Sequence, residues 1–317
     1  MIDDIIFEPS GASKVNLNSL TSQMLTSEER RICEIYEVAT AFVNTLREMI
    51  SDGMSPCEVL SILSDIDVSE TYSLADDVLS SNLPKLNSYF KQISAFDRAI
   101  FSSFINDILS QVGVDISENE FLATAQMPES FVYVKNAFSD EAYDVFSQEF
   151  SSPRVSYVNS FKDALSLVSD GAVSYCLLPI EERGARITTI DEMIFKGDFK
   201  VVSITPVLGF DGMADMKYAL ISRQFSEYTV NSGDDRYFEF RLLKDGAARL
   251  SDILIAAEHY NLEIYRLNTV RFTAEDDGRD YFSLILRSNG SDFINILIYL
   301  TLFADEFIPV GLYKNIE

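Results

Sequence analysis

Two adjacent carboxylates, Glu181 and Glu182, close an apolar run, and a cation, Lys217, lies in a later strand-like stretch. Paired carboxylates can divide proton donation from proton acceptance when their environments differ, and an ammonium can anchor an anion. Neighbouring strand residues point to opposite faces, however, so Glu181 and Glu182 are expected apart, on a solvated rim. Lys217 suits either an anion site or a polar strand position. Ser139, with Glu141 in the following turn, has the chemistry of a helix N-cap. His259, the single histidine, falls late in a helical stretch, where the negative helix end favours it. The run Asp245, Gly246, Ala247, Ala248, Arg249 joins a strand to a helix. Its small residues meet a steric need there, and they also expose backbone N–H groups to a ligand carboxylate.

The remaining reactive side chains are sparse. Cys33, Cys57 and Cys176 are odd in number, widely spaced and set in apolar patterns, as expected of reduced, buried thiols in the cytosol. One histidine and no paired cysteine motif leave nothing to build a zinc site, and no cofactor is expected. Fifty acidic residues against 25 basic ones give a net charge of −25, which disfavours nucleic acid and anionic membrane as partners. Met1 to Gly11 contains Asp3, Asp4 and Glu8 and lacks the basic start and apolar core of a signal peptide. The apolar run Phe293 to Ala304 is shorter than the roughly twenty residues needed to span a bilayer. A cytoplasmic protein is expected.

A chain of 317 residues exceeds what one core usually serves, and its pattern divides accordingly. Residues 1–25, rich in Ser, Asn and Thr, read as a loose arm. From Thr26, residues Ile32, Ile35, Tyr36, Ala39, Phe42, Val43, Leu46, Met49 and Ile50 recur at helical spacing up to Gly53. Short helices are expected after Ser55-Pro56 and near 74–79, then a long one from Pro84 through Phe90, Phe101 and Ile108 to Val112. An all-α bundle over 26–114 follows.

After a linker at 115–129, strands at 131–134, 154–158, 174–178, 199–204 and 217–221 alternate with helices at 139–150 and 161–168. That rhythm predicts an α/β lobe over 130–232 with a parallel sheet, and Asp211-Gly212 as a turn. Over 235–317 the order is strand, helix, strand, acidic turn (Glu275 to Gly278), strand, helix, strand, a ferredoxin-like α+β module.

The stretch Phe161 to Gly171, with Tyr175-Cys-Leu-Leu-Pro-Ile-Glu181 after it, resembles the prephenate dehydratase core, in which a helix precedes a strand ending in Pro-Ile-Glu-Asn-Ser. Val132-Tyr133 and Phe138-Ser139-Asp-Glu-Ala142 are similar to that family's opening strand and helix start. The C-terminal module resembles the ACT domain that commonly follows, with Asp245-Gly-Ala-Ala248 at its Pro-Gly-Ala-Leu turn, Tyr260-Asn-Leu262 at Ile-Asn-Leu, and Val310-Gly-Leu-Tyr313 at Leu-Gly-Ser-Tyr. The set covers roughly residues 130 to 317. The resemblance implies phenylalanine metabolism and an amino-acid effector bound around Asp245 to Arg249, with Arg249 replacing the usual apolar residue.

The departures point away from catalysis. Glu182 and Arg183 stand where the family has Asn-Ser. An extra carboxylate opposes an anionic substrate, since like charges about 4 Å apart repel by roughly 4 kcal/mol at an effective dielectric of about 20. Met216-Lys217-Tyr218 replaces Thr-Arg-Phe, losing a hydroxyl and a planar guanidinium fork. Only 38 positions lead from Pro179 to Lys217, where the family inserts a second lobe. Ser139, Glu181, Glu182 and Lys217 are thus read as vestigial motif positions. The helical bundle resembles a chorismate mutase domain, yet Arg30, Arg31 and Arg47 share their helix with Glu28, Glu29, Glu34, Glu37 and Glu48, and no dicarboxylate site emerges.

Three readings stay open: a catalytically degenerate sensor, an active dehydratase or bifunctional mutase/dehydratase with a rearranged site, and a structural partner of such an enzyme. The helix at 291–305 is apolar nearly all round, so its outer face needs a neighbouring domain or a second subunit. A homodimer through the C-terminal modules is the expectation.

Overall fold

The computed structural model describes residues 17–51, 54–55, 58–60, 89–122, 124–209, 213–226, 235–246, 248–271, 279–288, 290–304 and 307–315. The expected helix at 74–79, the turns at Asp211-Gly212 and Glu275 to Gly278, Cys57 and Ala247 lie outside them.

Helix α1 (Leu17–Ser51) begins within the stretch expected as an arm, because Leu17, Leu20 and Met24 extend the helical spacing upstream of Thr26. The long run from Pro84 does not stay one helix. The Ser94 hydroxyl accepts the Asp97 N–H at 3.1 Å and donates to the Asp97 carboxylate at 2.8 Å, so a new helix, α2 (Ala95–Gln111), starts there. Ile35, Ala39, Phe42, Val43 and Leu46 of α1 pack against Phe101, Ile105, Ile108 and Leu109 of α2. Cys33, expected buried, is exposed on α1, whereas Cys176 is buried.

A short helix, α3 (Glu118–Phe121), leads to β1 (Thr124–Ala125) and then to β2 (Ser130–Val134), α4 (Ala137–Ser147), β3 (Arg154–Val158), α5 (Phe161–Ser169) and β4 (Tyr175–Glu182). A hairpin strand β5 (Ala185–Arg186) and helix α6 (Thr188–Lys196) precede β6 (Lys200–Val207), β7 (Met216–Ser222) and β8 (Phe225–Ser226). The lobe sheet is mixed rather than parallel: β2 runs parallel to β3 and β4, but β7 is antiparallel to both β4 and β6. The link from β6 to β7 is too short for the crossover of a dozen or more residues that parallel neighbours need. Helix α4 covers one face through Ala142 and Phe146, while α5 and α6 cover the other through Ala164, Leu165, Ile190 and Ile194.

The C-terminal part comprises β9 (Tyr237–Leu243), α7 (Leu250–His259), β10 (Glu263–Arg271), β11 (Asp280–Arg287), α8 (Ile294–Phe303) and β12 (Phe307–Asn315). Its strands are antiparallel in the order β10-β11-β9-β12, and both helices pack on the face made by Phe238, Phe240, Leu242, Leu284 and Leu286. Strand β12 also pairs in parallel with β6, which joins the lobe and C-terminal strands into one ten-stranded sheet, β10-β11-β9-β12-β6-β7-β4-β2-β3 with β5 on β4, while β1 and β8 pair in parallel as a separate two-stranded sheet.

Helix α8 is covered on both sides within the chain. Ile296, Leu297 and Leu300 face the sheet, and Ile298, Leu302 and Phe303 enter the α1/α2 core. The rings of Phe90 and Phe101 meet Phe303 edge-on at 5.2 and 6.5 Å. The all-apolar helix therefore has its cover in a neighbouring part of the same chain. No helix among the described residues is long and apolar enough to cross a membrane.

Candidate functional site

Strand register brings the sequence-derived positions of β4 and β7 together. Glu181 lies opposite Lys217 and Glu182 opposite Met216, after a bulge between Pro179 and Glu181. The chain then reverses at Arg183 and Gly184, both at positive φ (51° and 77°), which is the backbone of a two-residue hairpin. Arg186 is thereby set across from Glu181. As expected of neighbours on a strand, the two glutamates part company, with Glu182 exposed. Glu181 is not on a solvated rim: it is only 4% exposed.

What buries Glu181 is the C-terminal part of the chain. Arg266, on β10, donates to Glu181 Oε1 and to the Gly184 carbonyl at 3.2 Å. Arg186 Nε lies 3.5 Å from Oε1, and Lys217 Nζ 3.6 Å from Oε2. Arg186 also donates to Glu239 on β9 at 2.5 Å, and the Tyr313 hydroxyl donates to the same Glu239 oxygen at 3.2 Å. Arg241, fully buried, donates to Asp191 of α6 at 2.8 Å and stacks over Phe195. Three carboxylates and four cations thus form a continuous ionic seam between the lobe and the C-terminal strands.

Burial dominates the titration of this seam. It pushes the Asp191 carboxyl up against the opposing pull of Arg241 and Arg186, and it draws the Arg241 guanidinium down. For Arg186 burial works against the charge, but Glu239, Tyr313, Asp191 and Glu181 outweigh it and hold the guanidinium above its ordinary value. Burial, and then Glu239, raise the Tyr313 hydroxyl well above the usual phenol range. The arrangement neutralises charge on charge. Each Glu181 oxygen lies against a cation.

The other positions fall elsewhere. Ser139 is not the N-cap of α4. Asn136 is, accepting the Ser139 N–H at 3.0 Å, while Ser139 sits three residues in and returns the bond by accepting the Asn136 N–H at 2.9 Å. Asn136 wins because the helix starts at Ala137, upstream of the expected Ser139. His259 closes α7, meets the Phe96 ring edge-on, and has its pKa lowered by burial. At the Asp245 to Arg249 turn, the Gly246 N–H donates to the Leu243 carbonyl at 3.2 Å. Helix α7 begins only at Leu250, with Arg249 as its N-cap and no side-chain cap bond. Ala248 packs on the module core, while Asp245 and Arg249 are exposed.

Sequence reasoning missed Arg186, Asp191, Glu239, Arg241 and Arg266. A signal existed in β9, where Glu239 and Arg241 alternate with Phe238, Phe240 and Leu242, but that pattern equally describes a strand with one solvated face. Among the described residues, no group of three or more His, Cys, Asp or Glu is placed to hold a metal ion.

No family model matches this chain, and no curated protein does. Solved structures are similar in part. A prephenate dehydratase from Streptococcus mutans superposes with a TM-score of 0.45 at 11% identity, over 60% of this chain and 99% of that one. A prephenate dehydratase from Arthrobacter aurescens, in complex with L-Phe, gives 0.43 at 12% identity over 58% and 90%. GqqA, described as a novel type of quorum quenching acylase, gives 0.43 at 16% identity over 59% and 95%.

Proposed function

We propose that this chain binds a small molecule and does not transform one: a prephenate-dehydratase-like protein whose dehydratase chemistry is lost and whose ACT-like C-terminal module has the binding role. The observation that carries the reading is the engagement of Glu181. The carboxylate at the end of β4 is held by Arg266 of the C-terminal module as well as by Arg186 and Lys217. An anionic substrate at that strand end would have to displace a carboxylate already paired, inside a seam where breaking one pair strands a buried charge. Loss of the family's hydroxyl and guanidinium at Met216-Lys217-Tyr218 supports the same reading.

The effector class is an amino acid or a molecule of that size, and the setting is cytoplasmic metabolism of phenylalanine. A homodimer through the C-terminal modules remains part of the proposal, although α8, covered within the chain, no longer argues for it. Sedimentation giving twice 35.7 kDa would support it.

The deciding experiment is a prephenate turnover assay on the purified full chain. Phenylpyruvate is expected to form no faster than without protein, and formation at enzymatic rates would sink the proposal. A thermal-shift screen against the twenty amino acids tests the binding role, because a ligand of the folded state raises its melting temperature.

A further inference from the structure

A groove of about 360 Å³ lies between the end of α7 and the start of β10, lined by Leu254, Ile255, Glu258, Leu262, Glu263 and Ile264, with Asn261 at its end. Its volume falls in the range that holds small molecules. It sits at the opposite end of α7 from the Asp245 to Arg249 turn, so the turn and the groove are separate places on the module.

Local structure explains the shape. Helix α7 ends at Tyr260 with Asn261 in the left-handed region at φ 58°. The Asn261 N–H donates to the Glu258 carbonyl at 3.0 Å and the Leu262 N–H to the Ala257 carbonyl at 2.9 Å, the double bond of a Schellman end. The chain therefore turns back sharply into β10, leaving a trough with helix on one side and strand on the other. Its floor is apolar: Ile255 and Ile264 are among the exposed large apolar residues.

The rim of the trough is net acidic. Glu258 and Glu263 are exposed at its rim, and the negative end of the α7 dipole points the same way. Arg287, opposite Glu263 in the strand register, divides one guanidinium between two carboxylates, donating to Asp235 at 2.5 Å and to Glu263 at 3.5 Å, so the rim with Glu258 stays net negative. His259 faces Phe96 of α2, and burial lowers its pKa, so it does not add a cation at neutral pH. The net charge of −25 draws cations generally.

We infer that this groove is a binding site for a small organic ammonium ion with an apolar body, the body lying on Leu254, Ile255, Leu262 and Ile264 and the ammonium between Glu258 and Glu263. The inference rests on the proposed small-molecule role and specifies its chemistry: the group recognised is the amine.

The test uses the full chain at neutral pH and compares 3-methylbutylamine and 2-phenylethylamine with 3-methylbutanoate and 3-phenylpropanoate by calorimetry and methyl-detected NMR. The amines are expected to bind at least roughly tenfold tighter than the matching carboxylates, and to weaken as salt screens the rim. They should move the methyl resonances of Ile255 and Ile264. Combining Glu258→Gln with Glu263→Gln should weaken them by about tenfold. Should that double variant misfold, Ile255→Trp, which fills the trough from an exposed helix position, should abolish amine binding. Equal binding of amines and carboxylates, or unchanged amine affinity in a folded variant, overturns the inference. If an amino acid stabilises the chain while neither amine binds, the binding role stands and the groove assignment falls. If nothing binds, both fall.

Discussion

Arg266 on β10 donates to the carboxylate of Glu181 on β4, although five strands lie between them in the sheet. In a flat sheet six strand spacings would separate them by about 29 Å. The sheet must therefore coil until its C-terminal end closes over the β4/β5 hairpin, with the ionic seam inside the coil.

Removing Arg266 should open this closure without unfolding the chain. Arg266→Ala leaves Glu181 with Arg186 and Lys217 at 3.5 and 3.6 Å, so the expected loss is about 1–3 kcal/mol of stability. A double-mutant cycle with Glu181→Gln, read by urea denaturation, should show the two losses to be far from additive. Additive losses would mean that the contact has no energetic weight.

Arg241 is more demanding, because it is fully buried. Arg241→Met strands Asp191 in the interior and should cost about 3–5 kcal/mol, whereas Arg241→Met combined with Asp191→Leu should recover most of that. Equal stability of the single and double variants in guanidinium would contradict the pairing.

Glu118 joins the helical region to the sheet. It accepts from Arg236 at 2.5 and 2.9 Å and from the Phe293 N–H at 2.7 Å, just ahead of α8. Glu118→Ala removes both carboxylate bonds from a buried guanidinium and the acceptor of a helix-start N–H, so a loss of about 3 kcal/mol is expected. Proteolysis should then nick α1 and α2 before the strands, and uniform protection would count against this role.

Two carboxylates should shape the pH profile with opposite signs. Glu129 accepts backbone N–H bonds from Ser152 and Ser151, which hold its carboxyl below the ordinary range. A depressed folded pKa adds stability that is present above the unfolded value of about 4.3 and is lost as pH falls through the folded one. Asp191 is raised by burial, so its folded form keeps its proton to a higher pH than the unfolded form, whose pKa is about 3.9. Its contribution accordingly declines as pH rises through that window. Melting temperatures from pH 3 to 7 should show a shallower acid limb for Glu129→Gln and a weaker decline for Asp191→Asn. A profile identical to the parent in either variant would refute its assignment.

Much of the local structure was legible in the chain. The expected strands at 131–134 and 154–158 match β2 and β3 to within a residue, because short runs rich in β-branched and aromatic residues between helical stretches read as strands. Helix ends were less legible: Ser139 looked like the cap of α4, and only the competing Asn136 shows how the backbone enters the helix. Ser94 broke a run whose apolar spacing read as continuous, since a side-chain bond to the Asp97 N–H can end one helix and begin another.

The sequence by itself determined most of the longer elements, their order, and that α8 had to be covered on every side, because each follows from apolar spacing along a short stretch of chain; α6 and the short α3, β1, β5 and β8 were not read from it. Only the tertiary structure decided what covers α8, that β12 pairs with β6, and that Glu181 meets Arg266 rather than water. Those outcomes depend on strand order, helix packing and sheet coiling between residues far apart in the chain, such as Lys200 and Pro309 or Phe90 and Phe303. An alternating charged residue such as Glu239 looks the same on a solvated face and in a buried seam, until the fold brings Arg186 to it.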